Sequence, residues 1–259
     1  MTNRLQNMRV MVTRPVDQAV GLIEEINAAG GKAFSFPSLV IQANVDAESA
    51  ERCKFISGYD WVIFISQNAV RYSLSLLPIT DWPTTTAIAA IGTTTANALQ
   101  QAGLGIELQP EQTMNSEALL EKFSAEQINE KKILIVRGAG GREKLAEDLR
   151  AMGGLVDYAE VYTRSCPETD TAGLIENINK GIAVITIASG ETLKNLASII
   201  ENSELSLEQK QKLYGCPLIV VSKRIRTLAE QLGFSDTIIV ANKPDNAGLV
   251  HAIIEWQNT

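Results

Sequence analysis

Two stretches of this chain carry one pattern in the same register, and that repetition limits the folds open to it. Residues 131–167, KKILIVRGAGGREKLAEDLRAMGGLVDYAEVYTRSCP, read as a strand, a glycine-rich turn, a helix and a long strand. The run at 133–136 is apolar and partly β-branched, as a buried strand requires. Gly138, Gly140 and Gly141 allow a sharp turn and a close backbone approach. Leu145, Leu149 and Met152 share one helical face, and Gly153-Gly154 ends the helix. Residues 9–44 repeat this pattern at an offset of 123: Arg14 answers Arg137, Leu22 answers Leu145, Ile26 answers Leu149, and Gly30-Gly31 answer Gly153-Gly154. The same offset aligns WVIFISQNAV with VITIASGETL and pairs Ser66 with Ser189. Seven extra residues in the second half then shift the offset to 130, at which Gly103 answers Gly233 and Leu119 answers Leu249. Any α/β chain shares some βα rhythm, but paired glycines in identical register favour an internal duplication.

Strands are expected at 10–13, 60–65, 87–91, 105–109, 133–136, 156–164, 182–187, 218–221 and 237–240, with helices between them. Residues 32–42 form a long extended run broken by Pro37, which suits a linker or an edge strand. Residues 116–123 read as one helix, and the extra polar segment 201–214 as another. Asp17 sits where an N-cap or first-turn carboxylate belongs. Alternating strands and helices imply parallel sheets covered on both faces. The expected fold is therefore α/β, with two doubly wound lobes. Ligands of such sheets lie beyond the carboxyl ends of the strands. That rule gathers Arg14, Ser66, Asn68, Gly92, Thr93, Thr94, Ser116, Arg137, Gly138, Gly140, Ser189, Gly190, Ser222 and Lys223. Helix N-termini along these rims offer free N–H groups to an anion, and two such rims facing each other make a cleft. For Ser66, Thr93, Ser116 and Ser189, helix capping alone is an equally good account.

The remaining chemistry is sparse. A net charge of −7 argues against a nucleic-acid footprint and leaves any acidic ligand dependent on local donors. No apolar run approaches the ~20 residues of a membrane span, and the N-terminus passes into the first strand without a signal-peptide apolar region. With three scattered cysteines, Cys53, Cys166 and Cys216, this suggests reduced thiols in a cytoplasmic chain. The single histidine, His251, lies in the apolar stretch 249–256 and reads as structural. A Ser-His-Asp site and a metal site are both poorly supplied. The Arg137 loop suggests a dinucleotide fingerprint, but Glu143 stands where the third glycine belongs. Tyr162 lies on a long strand; its phenol either donates a proton to a leaving hydroxyl or packs as an amphipathic ring, as Tyr158 also could.

Six segments taken together, in order, resemble the uroporphyrinogen-III synthase family: VTRP (12–15), FISQNAV (64–70), AIGTTTANAL (90–99), RGAGGREKL (137–145), EVYTR (160–164) and VSKRIRTLAEQLGF (221–234). The resemblance implies a cytoplasmic, monomeric enzyme of tetrapyrrole (heme and siroheme) biosynthesis, with no cofactor or metal and at most transient contact with the preceding pathway enzyme. It implies cyclisation of hydroxymethylbilane to uroporphyrinogen III, with loss of water and inversion of ring D. It further implies two flavodoxin-like lobes that are not the two sequence halves. Lobe one takes 1–38 and 168–259, lobe two takes 45–160, and 38–44 and 160–167 are crossing linker strands. In the family the tyrosine matching Tyr162 is a proposed proton donor, and the substrate is held largely by backbone amides. Here the substrate-binding candidates are Arg14, Ser66, Asn68, Thr93, Thr94, Arg137, Gly138, Gly140, Ser189, Gly190, Ser222 and Lys223. Two rivals are a two-lobed small-anion binding or sensor protein without catalysis, and a nucleotide-dependent transferase or oxidoreductase using the Arg137 loop.

Overall fold

The computed structural model describes residues 4–78, 80, 82–111, 115–141, 143–168, 171–234 and 237–258; Arg142 of the RGAGGREKL segment, like the other omitted positions, lies outside them. In chain order the elements are β1 (Arg9–Val12), α1 (Val16–Ala28), β2 (Lys32–Ser35), β3 (Val40–Ala43), α2 (Ala47–Lys54), β4 (Trp61–Phe64), α3 (Gln67–Leu74), β5 (Ala87–Ala90), α4 (Thr93–Gln101), α5 (Ser116–Leu120) and α6 (Ala125–Ile128). There follow β6 (Lys132–Gly138), α7 (Lys144–Ala151), β7 (Leu155–Ser165), α8 (Ala172–Asn179), β8 (Val184–Ile187), α9 (Gly190–Asn202), α10 (Leu207–Tyr214), β9 (Leu218–Val220), α11 (Lys223–Gln231), β10 (Ile238–Val240) and α12 (Asn246–Gln257).

The chain divides into two compact units, Met1–Val40 with Ser165–Thr259, and Ile41–Arg164. Each holds a five-stranded, mostly parallel sheet, ordered β10-β9-β8-β1-β2 in the first and β3-β7-β6-β4-β5 in the second. Residue alternation assigns the two faces of each sheet to different helices. In the first unit Met11, Ile185, Ile187 and Val220 pack under α8, α9, α10 and α11, whereas Val10, Val12, Val184 and Ile219 pack under α1 and α12. In the second, Val62, Phe64, Leu134 and Val136 meet α2, α3 and α4, whereas Ile63, Ala89, Ile133 and Ile135 meet α5, α6 and α7.

The structure corrects some expectations and decides between alternatives in others. Residues 105–109 form no strand; Leu108 makes one isolated bridge with Ala89. The helix expected over 116–123 stops at Leu120, and α6 follows with its own capping box, in which Ser124 and Gln127 satisfy each other's backbone N–H. The run 32–42 becomes two strands, β2 and β3, at the edge of different sheets. Pro15 occupies the cap position of α1, leaving Asp17 in its first turn. His251 is not buried. It lies on the outer side of α12, 61 % exposed, with Nδ1 3.2 Å from the Glu255 carboxylate one turn on.

Candidate functional site

In the second unit the strands β4, β6 and β7 deliver three groups to one place at their carboxyl ends. Ser66 follows β4 and caps α3, its Oγ accepting the Ala69 N–H at 3.0 Å. The same Oγ lies 3.0 Å from the Tyr162 hydroxyl. Tyr162 reaches it because the β6–β7 ladder shifts register between Arg137 and Gly138, pairing Arg137 with Glu160 and Gly138 with Tyr162. That bulge, rare in a parallel pair, turns Tyr162 onto the same face as its neighbour Val161, where both join the core under α2, α3 and α4. Gly138 makes the room: a β-carbon there would meet the tyrosine ring at 2.5 Å. Tyr72 stacks on the Tyr162 ring, centroids 5.8 Å apart, and is itself tied by its hydroxyl to the Ile41 carbonyl at 2.8 Å. Arg164, two residues on, donates from Nη2 to the Tyr162 oxygen at 3.3 Å. The tyrosine is only 2 % exposed.

Arg137 is built differently from what a carboxylate clamp needs. It is 7 % exposed, its guanidinium lies 3.7 Å from the Tyr158 ring centroid, and it pairs with Glu143 and Glu160, each at 2.8 Å. Burial acts to lower its proton affinity, but the hydrogen bonds to Glu143 and Glu160 prevail and hold it above the ordinary arginine value. Tyr158 donates to Glu143 at 2.6 Å; burial first, then that bond, push its phenol up to about 12. A carboxylate, Glu143, thus occupies the cap position of α7, where a dinucleotide fold would place pyrophosphate. Beside this cluster a cavity of about 400 Å³ is walled by Ile65, Ile91, Ile135, Leu145, Ser116 and Lys144, among others.

Thr93 and Thr94 stand exposed in the first turn of α4, and Asn68 is half-buried in that of α3; Gly140, also exposed, has a left-handed φ of 71°. The caps of α4 and α5 are Gly92 and Asn115, not Thr93 and Ser116. In the first unit Ser189 and Ser222 cap α9 and α11, accepting from Thr192 and Ile225, with Gly190 and exposed Lys223 next in line. Arg14 leaves β1 and bonds Asn246 at the start of α12, Nη1 to Oδ1 2.7 Å. Burial draws its guanidinium below the ordinary value, offset in part by the charge of Glu25. Sequence reasoning passed over Arg164 and Tyr72 as site residues; EVYTR contains the first, but only the strand bulge turns its neighbour's phenol to meet it. Among the described residues, no group of three or more His, Cys, Asp or Glu is placed to hold a metal ion, and no helix is long and apolar enough to cross a membrane.

Comparison with known proteins gives one answer. The family model described as "Uroporphyrinogen-III synthase HemD" matches residues 21–251. The uroporphyrinogen-III synthase of Salmonella typhimurium is 34 % identical over 251 residues, 95 % of this chain and 100 % of that protein. The Escherichia coli enzyme of the same name is 32 % identical over 250 residues, with the same shares covered. Among solved structures, uroporphyrinogen-III synthetase from Helicobacter pylori shares the fold, at TM-score 0.60 and 15 % identity, over 96 % of this chain and 99 % of that one. The chain belongs to the uroporphyrinogen-III synthase family.

Proposed function

We propose that this chain is a cyclising lyase that closes hydroxymethylbilane to uroporphyrinogen III, releasing water and inverting ring D. The observation that carries the reading is the Ser66–Tyr162–Arg164 cluster at the carboxyl edge of a parallel sheet, in a chain matched to this family over residues 21–251. The substrate bears eight carboxylates and one primary hydroxyl, and the pyrrole itself expels that hydroxyl to give a reactive azafulvene. Left alone it closes without inversion. The protein's work is to fold the chain of rings so that attack falls on the substituted carbon through a spiro intermediate. Orientation of that kind is worth up to ~7–11 kcal/mol. Sheltering the azafulvene from water is the second task.

In this reading the carboxylates are held by Arg14, Asn68, Thr93, Thr94, Gly138, Gly140, Ser189, Gly190, Ser222 and Lys223, with Ser66 contributing its backbone amide rather than its hydroxyl, largely through amides at the starts of α3, α4, α9 and α11. Arg137 supports the rim rather than gripping a ligand, because Glu143 and Glu160 already occupy its guanidinium. The protein acts as a monomer without cofactor. Its lobes comprise 1–38 with 168–259, and 45–160, linked by 38–44 and 160–167, and descend from one duplicated flavodoxin-like unit. Support for the duplication comes from strand ends and glycines. The offset of 123 carries β4 (Trp61–Phe64) onto β8 (Val184–Ile187). Gly30 and Gly153 have φ of 91° and 90°, and Gly103 and Gly233, 130 apart, have 81° and 78°. The first sheet also follows the 2-1-3-4-5 order of flavodoxin-like folds.

The family match gives no support to a binding protein without turnover. The test is to supply excess hydroxymethylbilane to the purified chain with no nucleotide or metal added. Many substrate molecules consumed per chain supports the reading; tight binding without consumption overturns it.

A further inference from the structure

We propose that Ser66 is the hydroxyl that hands a proton to the departing group, with Tyr162 behind it as the proton source and Arg164 as the residue that positions the phenol. This rests on the cyclisation assigned above. A tyrosine 2 % exposed, closed in by Gly138 and stacked on Tyr72, does not itself present its oxygen to a large polyanion. Ser66, half-buried at the start of α3, is in contact with that oxygen and also reaches the surface.

The direction of each hydrogen bond follows from counting donors and acceptors. Arg164 has only N–H groups, so the Tyr162 oxygen accepts from it. The phenol hydrogen then has one acceptor within reach among the described residues, Ser66 Oγ. That oxygen already accepts the Ala69 N–H, so both its lone pairs are taken. Its own hydrogen remains, and it is the one left for a ligand. As the substrate C–O bond breaks, the electron pair leaves with oxygen, which takes the Ser66 hydrogen and departs as water. The pyrrole nitrogen lone pair fills the vacated carbon. Ser66 takes the phenol hydrogen, and the phenolate so formed lies beside the Arg164 guanidinium. When the spiro intermediate rearranges and the unsubstituted α-carbon of ring D gives up its hydrogen in the final closure, the same serine returns that proton to the phenolate. Substrate has lost one water, and the protein is unchanged.

The first unit offers a built-in contrast. Ser189, 123 residues on, caps α9 with the same backbone geometry as Ser66, yet Leu39 stands at the position matching Tyr162, and Ile41, which matches Arg164, belongs to the second unit. Its hydroxyl pairs instead with Thr192 Oγ1 at 2.8 Å. The cap is common to both copies; the proton supply occurs once.

The test uses Ser66→Gly, because glycine serves at a helix cap almost as well as serine, together with Ser66→Thr, Tyr162→Phe and the Ser66→Gly/Tyr162→Phe double variant. Ser66→Gly and Tyr162→Phe should each lower kcat by about 10²-fold, the low end for general acids, with KM little changed. The double variant should be no slower than the worse single one, because one relay is lost only once. Ser66→Thr should restore most of the rate, and the solvent deuterium isotope effect on kcat should vanish in Ser66→Gly. Arg164→Gln should lower kcat, with partial rescue by Arg164→Lys. Wild-type kcat in Ser66→Gly, or losses that multiply in the double variant, would overturn the relay. A rise in KM alone in Arg164→Gln would make that residue a carboxylate holder. If the unmodified chain does not consume hydroxymethylbilane, the cyclisation reading fails; if it does and Ser66→Gly matches it, only the relay fails.

Discussion

A β-carbon on Gly138 would stand 2.5 Å from the ring of Tyr162, so the phenol occupies the space that any other residue at 138 would need. Glycine there is a condition for the site. Gly138→Ala should destabilise the protein by about 1–3 kcal/mol through overpacking, and should slow turnover by shifting the phenol away from Ser66. Gly58→Ala, where nothing lies within 4 Å, should do neither. Thermal melting and steady-state rates on the two variants decide it; an unaltered rate in Gly138→Ala would show that the Tyr162–Ser66 contact is dispensable.

Arg137 holds together the start of α7, the end of β6 and strand β7 through Glu143, Glu160 and the face of Tyr158. Removing a buried cation from two carboxylates costs more than replacing it with an apolar side chain of similar volume. Arg137→Ala should lose about 1–3 kcal/mol of stability, and Arg137→Met distinctly less. Denaturant titration measures both. A variant of normal stability with a raised KM would instead make Arg137 a substrate ligand.

Asp60 ties β4 to β6: it accepts the Lys132 N–H at 2.9 Å and the Lys131 ammonium at 3.1 Å. The backbone bond from Lys132 first, then Lys131, hold its carboxyl below the ordinary value of 3.8. A carboxyl of lowered folded-state value contributes stability that is complete above the unfolded value and is lost as pH falls through the folded one. Part of the acid unfolding below about pH 4 should therefore disappear in Asp60→Asn, which keeps an acceptor but cannot titrate. Identical acid-unfolding curves for the two proteins would contradict this.

The three thiols should react in two classes. Burial pushes Cys53 up to about 11 and Cys216 up to about 12, whereas Cys166 is exposed. One equivalent of a thiol reagent should react with the native protein and three after unfolding. Three fast equivalents in the native state would show that the two cores open readily.

The parallel sheets were legible because their central strands are short apolar runs: 133–136 and 61–64 are buried almost throughout. The helix starts at Ser66, Ser189 and Ser222 were legible because capping is local chemistry. What failed was non-local. The register slip opposite Gly138 depends on pairing between strands, so the sequence shows Tyr162 on an alternating strand and not its turn toward Ser66. The partner of Arg137 at Glu160 is 23 residues away, so the sequence does not show that this guanidinium already pairs with two carboxylates of its own chain. His251 was misread for a different reason. Its neighbours Val250 and Ala252 are apolar, but at 100° per residue the outer side of α12 falls between them.

Geometry at the sheet edges, rather than strong acid-base chemistry, is held responsible for which ring carbon is attacked. Fresh hydroxymethylbilane closed in the presence of this chain, with the two uroporphyrinogen isomers separated after oxidation, reads that choice directly. The inverted isomer should predominate from the first turnovers, and should still predominate in Tyr162→Phe, only more slowly formed. An isomer ratio equal to that of a protein-free control would contradict it.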